Sequence, residues 1–214
     1  MRNSKSILKI GKPKFAFVGD GECEYWYIQM LKRNERAINV DFKPELLQKK
    51  KLIDQYKKVI ELSNDYDKVF WVVDFDTLVK ETREAKKGTK TAIQEFKEYC
   101  DKISGGYENI EIVVNNPCLE YWILLHYERT SKYYETGDRV GKQLKKYLPE
   151  YNKSQSFYTK QDSDIYLRLK PLLSNAISNA EKLGRFDFYN PETGMSEMQL
   201  IFNTKQIKKG IEVK

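Results

Sequence analysis

The chain has little of what staples or metallates small folds. It holds three cysteines, Cys23, Cys100 and Cys118, an odd number with no paired spacing, which argues against a disulfide framework and against a CxxC zinc site. That usage favours a reducing compartment. There is one histidine, His126. Long hydrophobic runs are missing as well: no apolar stretch approaches the roughly 20 residues that span a bilayer. The N-terminal "MRNSKSILKIGKPK" is basic but carries no apolar segment suited to export. A soluble cytoplasmic protein without a membrane partner is expected. No internal repeat or low-complexity tract is present, and no Walker A pattern, so any ATP-driven step would come from another protein.

What is present is a chain of 214 residues with formal charge +7, from 38 Lys and Arg against 31 Asp and Glu. The length suits one main domain with a real core, and the charge favours a polyanionic partner. The first half alternates β-rich runs with helical patterns, the signature of a mainly parallel α/β sheet. Four strands are expected: "KFAFV" (14–18), "INVDF" (38–42), "KVFWVVDFD" (68–76) and "NIEIVVNN" (109–116). Between them, helical spacing is carried by Tyr27, Met30 and Leu31, then by Leu46, Leu47, Leu52, Ile53, Tyr56 and Ile60, then by Ile93, Phe96 and Tyr99. "ETREAKKGTKT" (81–91) reads as a mobile polar loop. After the fourth strand the pattern turns helical and basic: "CLEYWILLHYE" (118–128), "RVGKQLKKYL" (139–148), a long helix over 162–186 interrupted near Pro171, and a turn leading to a final helix over 190–202. The expected division is an α/β domain over 1–130 and a helical, basic C-terminal region over 131–214 packed on it.

Acids cluster where strands should end. Asp20 follows the first, with Glu22 and Glu24 after it; Asp74 and Asp76 close the third; Asn115, Asn116 and Glu120 follow the fourth. Ligands of open α/β sheets bind beyond the carboxyl ends of the strands, so groups about 50 residues apart in sequence can converge there. With "DFD" at the end of the extended third strand, Asp74 and Asp76 are expected to face the same way, with Phe75 on the other side, and to repel unless a cation joins them. A hard divalent ion such as Mg²⁺ or Mn²⁺ takes carboxylate oxygens and commonly substrate phosphate as well. Each motif also has a plainer reading: aspartates cap helices, early acids complement a helix dipole, "NNPCLE" suits a turn and cap, and a lone histidine within "ILLHYE" suits a buried, hydrogen-bonded role.

The strings "VGDGECEYWY", "VFWVVDFD" and above all "NNPCLEYWILLHYE" resemble the RloB family, a Toprim-related group of restriction and phage-defence loci. The resemblance implies a Toprim-like (Rossmann-like), mainly parallel four-stranded sheet flanked by helices, with a helical C-terminal extension. It implies metal-dependent hydrolysis of DNA or RNA, transfer RNA included, with Mg²⁺ or Mn²⁺ held by Asp20, Glu24, Asp74 and Asp76, and with Glu120 completing the catalytic set. By analogy with related systems it implies an ABC-type ATPase partner. Toprim proteins usually carry Glu where this chain has Asp20, and the family's hydroxyl residue is replaced here by Cys23, with Glu24 at the final acid. The shorter Asp20 is what supports the alternative, a catalytically inactive Toprim-derived subunit that binds nucleic acid or regulates an ATPase-containing defence complex. The basic, aromatic-bearing "KQLKKYLPEYNKSQSFYTK" (142–160) suits backbone binding plus base stacking.

Overall fold

The computed structural model describes residues 11–19, 21–47 and 51–211. Strand β1 (Lys14–Gly19) leads into helix α1 (Glu22–Asn34), β2 (Asp41–Leu46), α2 (Leu52–Ser63) and β3 (Lys68–Asp74). Helices α3 (Phe75–Glu84) and α4 (Ala92–Gly106) precede β4 (Ile110–Asn116) and α5 (Leu119–Leu125). The remainder is helical: α6 (Gly137–Leu144), α7 (Gln155–Tyr158), α8 (Ile165–Leu169) and α9 (Leu173–Leu183), then the short strand β5 (Met195–Ser196), α10 (Gln199–Asn203) and α11 (Lys205–Gly210).

The strands form one sheet in the order β2-β1-β3-β4-β5. β1, β2, β3 and β4 pair in parallel and β5 joins antiparallel to β4. This is the expected mainly parallel α/β sheet, with one short strand added. Two residues are too few for a period-2 pattern, which is why β5 is not readable in advance.

Alternation along the central strands builds two cores. Phe15 and Phe17 of β1, Phe70 and Val72 of β3, and Val113 of β4 face α1, α5 and the C-terminal helices. Ala16 and Val18, Val69, Trp71 and Val73, and Val114 face α2, α3 and α4. Both faces are therefore covered, as parallel sheets require. Trp71 is fully buried, and its indole N–H donates to Gln55 Oε1 at 2.9 Å. Residues from 134 onward contribute to the first core together with β1 and α1.

Several boundaries differ from the sequence expectation, each for a local reason. β2 covers 41–46 rather than 38–42, because the edge strand "DFKPEL" is polar and accommodates Pro44 on a margin where only one side is paired. Leu46 is thus in a strand, Leu47 lies beyond it, and α2 begins at Leu52. β3 stops at Asp74 and α3 follows without a loop, so Asp76 sits in a helical turn and strand alternation does not orient the pair. The first four residues of the expected loop at 81–91 are helical: α3 runs to Glu84, and Thr91 closes a capping box with Gln94 at the start of α4. The helix expected over 118–128 is shorter, ending at Leu125, while the break near Pro171 is present as a 3₁₀ turn at Lys170–Leu172.

Candidate functional site

The site lies where β1, β3 and β4 deliver their carboxyl ends into the next helices. Asp20, the first expected ligand, is outside the described residues. Gly21 is the N-cap of α1 at φ −123, an ordinary extended conformation, so conformational freedom does not explain it. Space does: a Cβ there would fall 2.2 Å from Glu24 Oε2. Glu24 therefore folds back over the start of its own helix and is buried, whereas Glu22 is exposed. Of the two helical acids, Glu24 belongs to the site.

Asp74 ends β3, and its Oδ1 accepts from Asn115 Nδ2 at 3.3 Å across the β3–β4 pairing. Asp76, in the first turn of α3, accepts at Oδ2 from the Gly137 N–H at 2.9 Å, and its own N–H donates to the Pro117 carbonyl at 3.0 Å. These two bonds tie the β3–α3 junction to the β4–α5 turn and to the start of α6. The remaining polar groups of "NN" brace the same turn. Ser196 donates to Asn115 Oδ1 at 2.7 Å, and Asn116 donates to the Pro191 and Thr193 carbonyls at 2.6 and 2.9 Å.

Glu120 is 1 % exposed in the first turn of α5. Three donors converge on it: the Tyr151 hydroxyl at 2.6 Å and the Lys153 ammonium at 2.9 Å on Oε1, and the Cys118 thiol at 2.7 Å on Oε2. Tyr151 also meets the Tyr158 hydroxyl at 3.1 Å. Gly137 leaves room for the cluster, since a Cβ there would lie 2.7 Å from Cys118 Sγ, 3.2 Å from Lys153 Nζ and 3.5 Å from Asp76 Oδ2.

Burial pushes the Asp76 carboxyl up, and Glu120 adds to that, while the Gly137 N–H and Lys153 oppose it. Burial likewise lifts the Cys118 thiol far above its ordinary range, reinforced by Glu120, Asp74 and Asp76. Cys23 is pushed up to about 12 by burial and then by Glu24 and Glu120. Neither thiol is a thiolate at neutral pH, so neither is poised as a nucleophile. Burial pulls Lys153 down, but Glu120 outweighs it and the net shift is upward, leaving a firmly charged ammonium with a half-exposed side chain. Lys153 is thus the built-in counter-charge of an acidic pocket.

His126 takes no part in this cluster. It is buried at the end of α5, where Nδ1 bonds the Trp122 carbonyl at 2.9 Å and the ring stands edge-on to Trp122. Burial lowers its pKa to about 4, so it is neutral at physiological pH.

Carboxylate oxygens are the donors that a hard divalent cation takes, and a cation there would favour the charged form of Asp76 that burial, with a smaller contribution from Glu120, disfavours. Among the described residues, no three His, Cys, Asp or Glu side chains are grouped to hold one ion. The fit to a metal is therefore one of chemistry, not of a closed cage.

The structure brings Glu24, Asp74, Asp76 and Glu120 to one end of the sheet. Sequence reading missed Lys153, Tyr151, Cys118 and Gly137. Lys153 and Tyr151 stood out only as members of a basic, aromatic segment, and nothing local reveals that they reach Glu120 from more than 30 positions away. That same segment offers fewer stacking rings than expected: Tyr151, Phe157 and Tyr158 are buried, and Tyr147 is stacked on Tyr127.

No helix among the described residues is long and apolar enough to cross a membrane. Neither the curated proteins nor the solved structures contain a match to the chain. A family model described as RloB-like protein matches residues 15–201. With that match spanning most of its length, the chain belongs to the RloB-like family.

Proposed function

We infer that this RloB-like protein is a metal-dependent nuclease of the Toprim type, hydrolysing phosphodiester bonds of DNA or RNA in the cytoplasm as part of phage defence, with an ABC-type ATPase as partner. The observation that carries the reading is the gathering of Glu24, Asp74, Asp76 and Glu120 from the strand-to-helix junctions of three adjacent strands, β1, β3 and β4, at one end of the sheet. Asp74 and Asp76 are the first candidates to hold Mg²⁺ or Mn²⁺, with Glu24 and Asp20 from the first junction. When bound, such an ion polarises the scissile phosphate and lowers the pKa of an attacking water.

The chain's own groups prepare the site. The Gly137 N–H and the Pro117 carbonyl fix Asp76 from both its side chain and its backbone. Tyr151 and Cys118 hold the Glu120 carboxylate in one orientation. Lys153 offsets the acids, so that an approaching phosphate meets less net negative charge.

The test is cleavage of labelled plasmid DNA and total transfer RNA with Mn²⁺, Mg²⁺ or EDTA, beside an Asp74→Ala/Asp76→Ala variant. Metal-dependent cutting that the variant loses is expected. Cutting that survives EDTA or the double substitution contradicts the reading.

A second reading, a Toprim-derived binding or regulatory subunit without cleavage, is favoured by two observations: Glu120 already has a cation in Lys153, and the described acids form no three-ligand group.

A further inference from the structure

Helix α1 starts at the acidic site and runs back along the sheet, and its outward face changes character on the way. Tyr25, Gln29 and Arg33 recur at intervals of four on that face, with Lys32 beside them and Arg36 just past the helix end. Across from them lies β2, the edge strand, which presents Lys43 to solvent. Helix and strand enclose a groove of about 680 Å³ whose lining includes Lys32, Arg33, Arg36 and Lys43 and no acid. It adjoins a second cavity of about 540 Å³ that shares Lys32 and Arg36 and adds Lys12 and Lys14. The acids there are Glu35, which is buried and paired with Lys170 at 2.6 Å, and Asp41, which lies 3.9 Å from Lys32.

We propose that the groove between α1 and β2 binds the phosphate backbone of a nucleic acid and guides it along α1 toward the acidic site. The proposal rests on the nuclease reading for its direction and adds a binding surface to it.

Residues three and four apart on a helix stand about 5–6 Å from one another, so the cations form a row rather than a point, which suits a repeating anion. From Tyr25 to Arg33 the helix advances about 12 Å, the length of three to four phosphates at about 3.4 Å per nucleotide of a stacked strand. Three of the cations are pre-positioned. Arg33 is anchored by Asp164 at 2.6 Å, Lys32 by the Phe42 carbonyl at 2.7 Å and Lys43 by Glu45 at 2.9 Å. Arg36 is exposed and has no ion pair among the described residues. At the end nearest Glu24, the half-buried Tyr25 accepts from Gln29 Nε2 at 2.7 Å, which holds its ring at the groove wall. Most rings of the basic segment 142–160 are committed to the core, and Tyr147 is stacked on Tyr127.

The experiment is anisotropy binding of a short labelled single strand and of the matching duplex, in EDTA so that no cutting occurs, across a salt series. The full chain is compared with Arg36→Glu/Lys43→Glu and with Lys145→Glu/Lys146→Glu, whose altered residues are exposed at the end of α6. The groove variant should bind the preferred nucleic acid at least tenfold more weakly, and the slope of log affinity against log salt should fall by about 0.7–0.9 per cation removed. The α6 variant should stay within about threefold of the wild type. A neutral pair, Arg36→Gln/Lys43→Gln, keeps the result interpretable if the glutamates disturb folding, and should show the same loss of salt slope. Binding unchanged by the groove substitutions, an equal loss in the α6 variant, or no binding by the wild type would each overturn the proposal. Asp74→Ala/Asp76→Ala separates this from the nuclease reading: it should bind normally and fail to cut, so a failure of cleavage and a failure of the groove leave different signatures.

Discussion

Two buried acid networks in this molecule use nearly the same donors in different places. At the far end of α1, Glu35 receives the Tyr166 hydroxyl at 2.8 Å and Lys170 at 2.6 Å. Beside it Asp164 receives Arg33 at 2.6 Å and Asn34 at 2.9 Å, and caps α8 through the Leu167 N–H at 3.0 Å. At the strand ends, Glu120 likewise receives a tyrosine, Tyr151, and a lysine, Lys153. The first network balances two acids against one arginine and one lysine and joins α1 to α8, while the Arg33 side chain stays partly exposed. At the second, the described Glu120, Asp74 and Asp76 all push the Cys118 thiol up while Lys153 opposes them. Burial and hydrogen bonds therefore do not mark a functional acid. On the nuclease reading, position at the carboxyl ends of the strands does.

The largest expected difference between the networks is in activity. Asp74→Ala/Asp76→Ala should abolish metal-dependent cleavage while the far-end substitution Tyr166→Phe leaves it near wild type, measured on the same nucleic acid. Equal losses from both would erase the distinction. In stability the order reverses. Asp164→Ala removes a helix cap and strands Arg33 and Asn34, so thermal or denaturant unfolding should report a loss of about 2–3 kcal/mol, whereas Asp74→Ala/Asp76→Ala, which removes partly buried charge but also the acceptors of the Gly137 N–H and the Asn115 amide, should cost less.

A finer contrast pairs the two tyrosines. Tyr151→Phe and Tyr166→Phe each leave a buried carboxylate one hydrogen bond short, at a cost of about 1–2 kcal/mol in urea unfolding. Only Tyr151→Phe should also lower the cleavage rate, because it frees Glu120 to reorient.

The smallest effect is one of pH. Burial raises the Asp76 carboxyl above its unfolded value, so its favourable contribution is complete below the ordinary carboxylate range and is lost as pH rises through the raised value. In EDTA, Asp76→Asn should therefore melt slightly above the wild type at neutral pH, and the gain should vanish in acid. A gain that persists in acid would assign the effect to something other than the charge.

The central strands were legible because they obey simple rules. β1, β3 and β4 are near-continuous apolar runs buried on both faces, and their observed limits lie within two residues of the reading. β2 was displaced because an edge strand can be polar and hold a proline. The acids were legible as a set because strand ends are predictable, but their geometry was not. Asp76 turned out helical because α3 follows β3 directly, and Gly21 is explained by Glu24 folding back on it rather than by a turn. The partners of Glu120 were illegible in principle: Tyr151 and Lys153 arrive through a chain reversal beyond α6 that no local pattern encodes.

The most direct test of the account is the melting temperature of the purified chain with and without Mn²⁺, in the wild type and in Asp74→Ala/Asp76→Ala, because it needs neither substrate nor partner. If the acids at the strand ends are a metal site, Mn²⁺ at about a hundred times its dissociation constant adds about 2.7 kcal/mol, a rise of several degrees for a chain of this size, and the variant shows none. A wild type that does not respond to the ion, or a variant that responds equally, would contradict it.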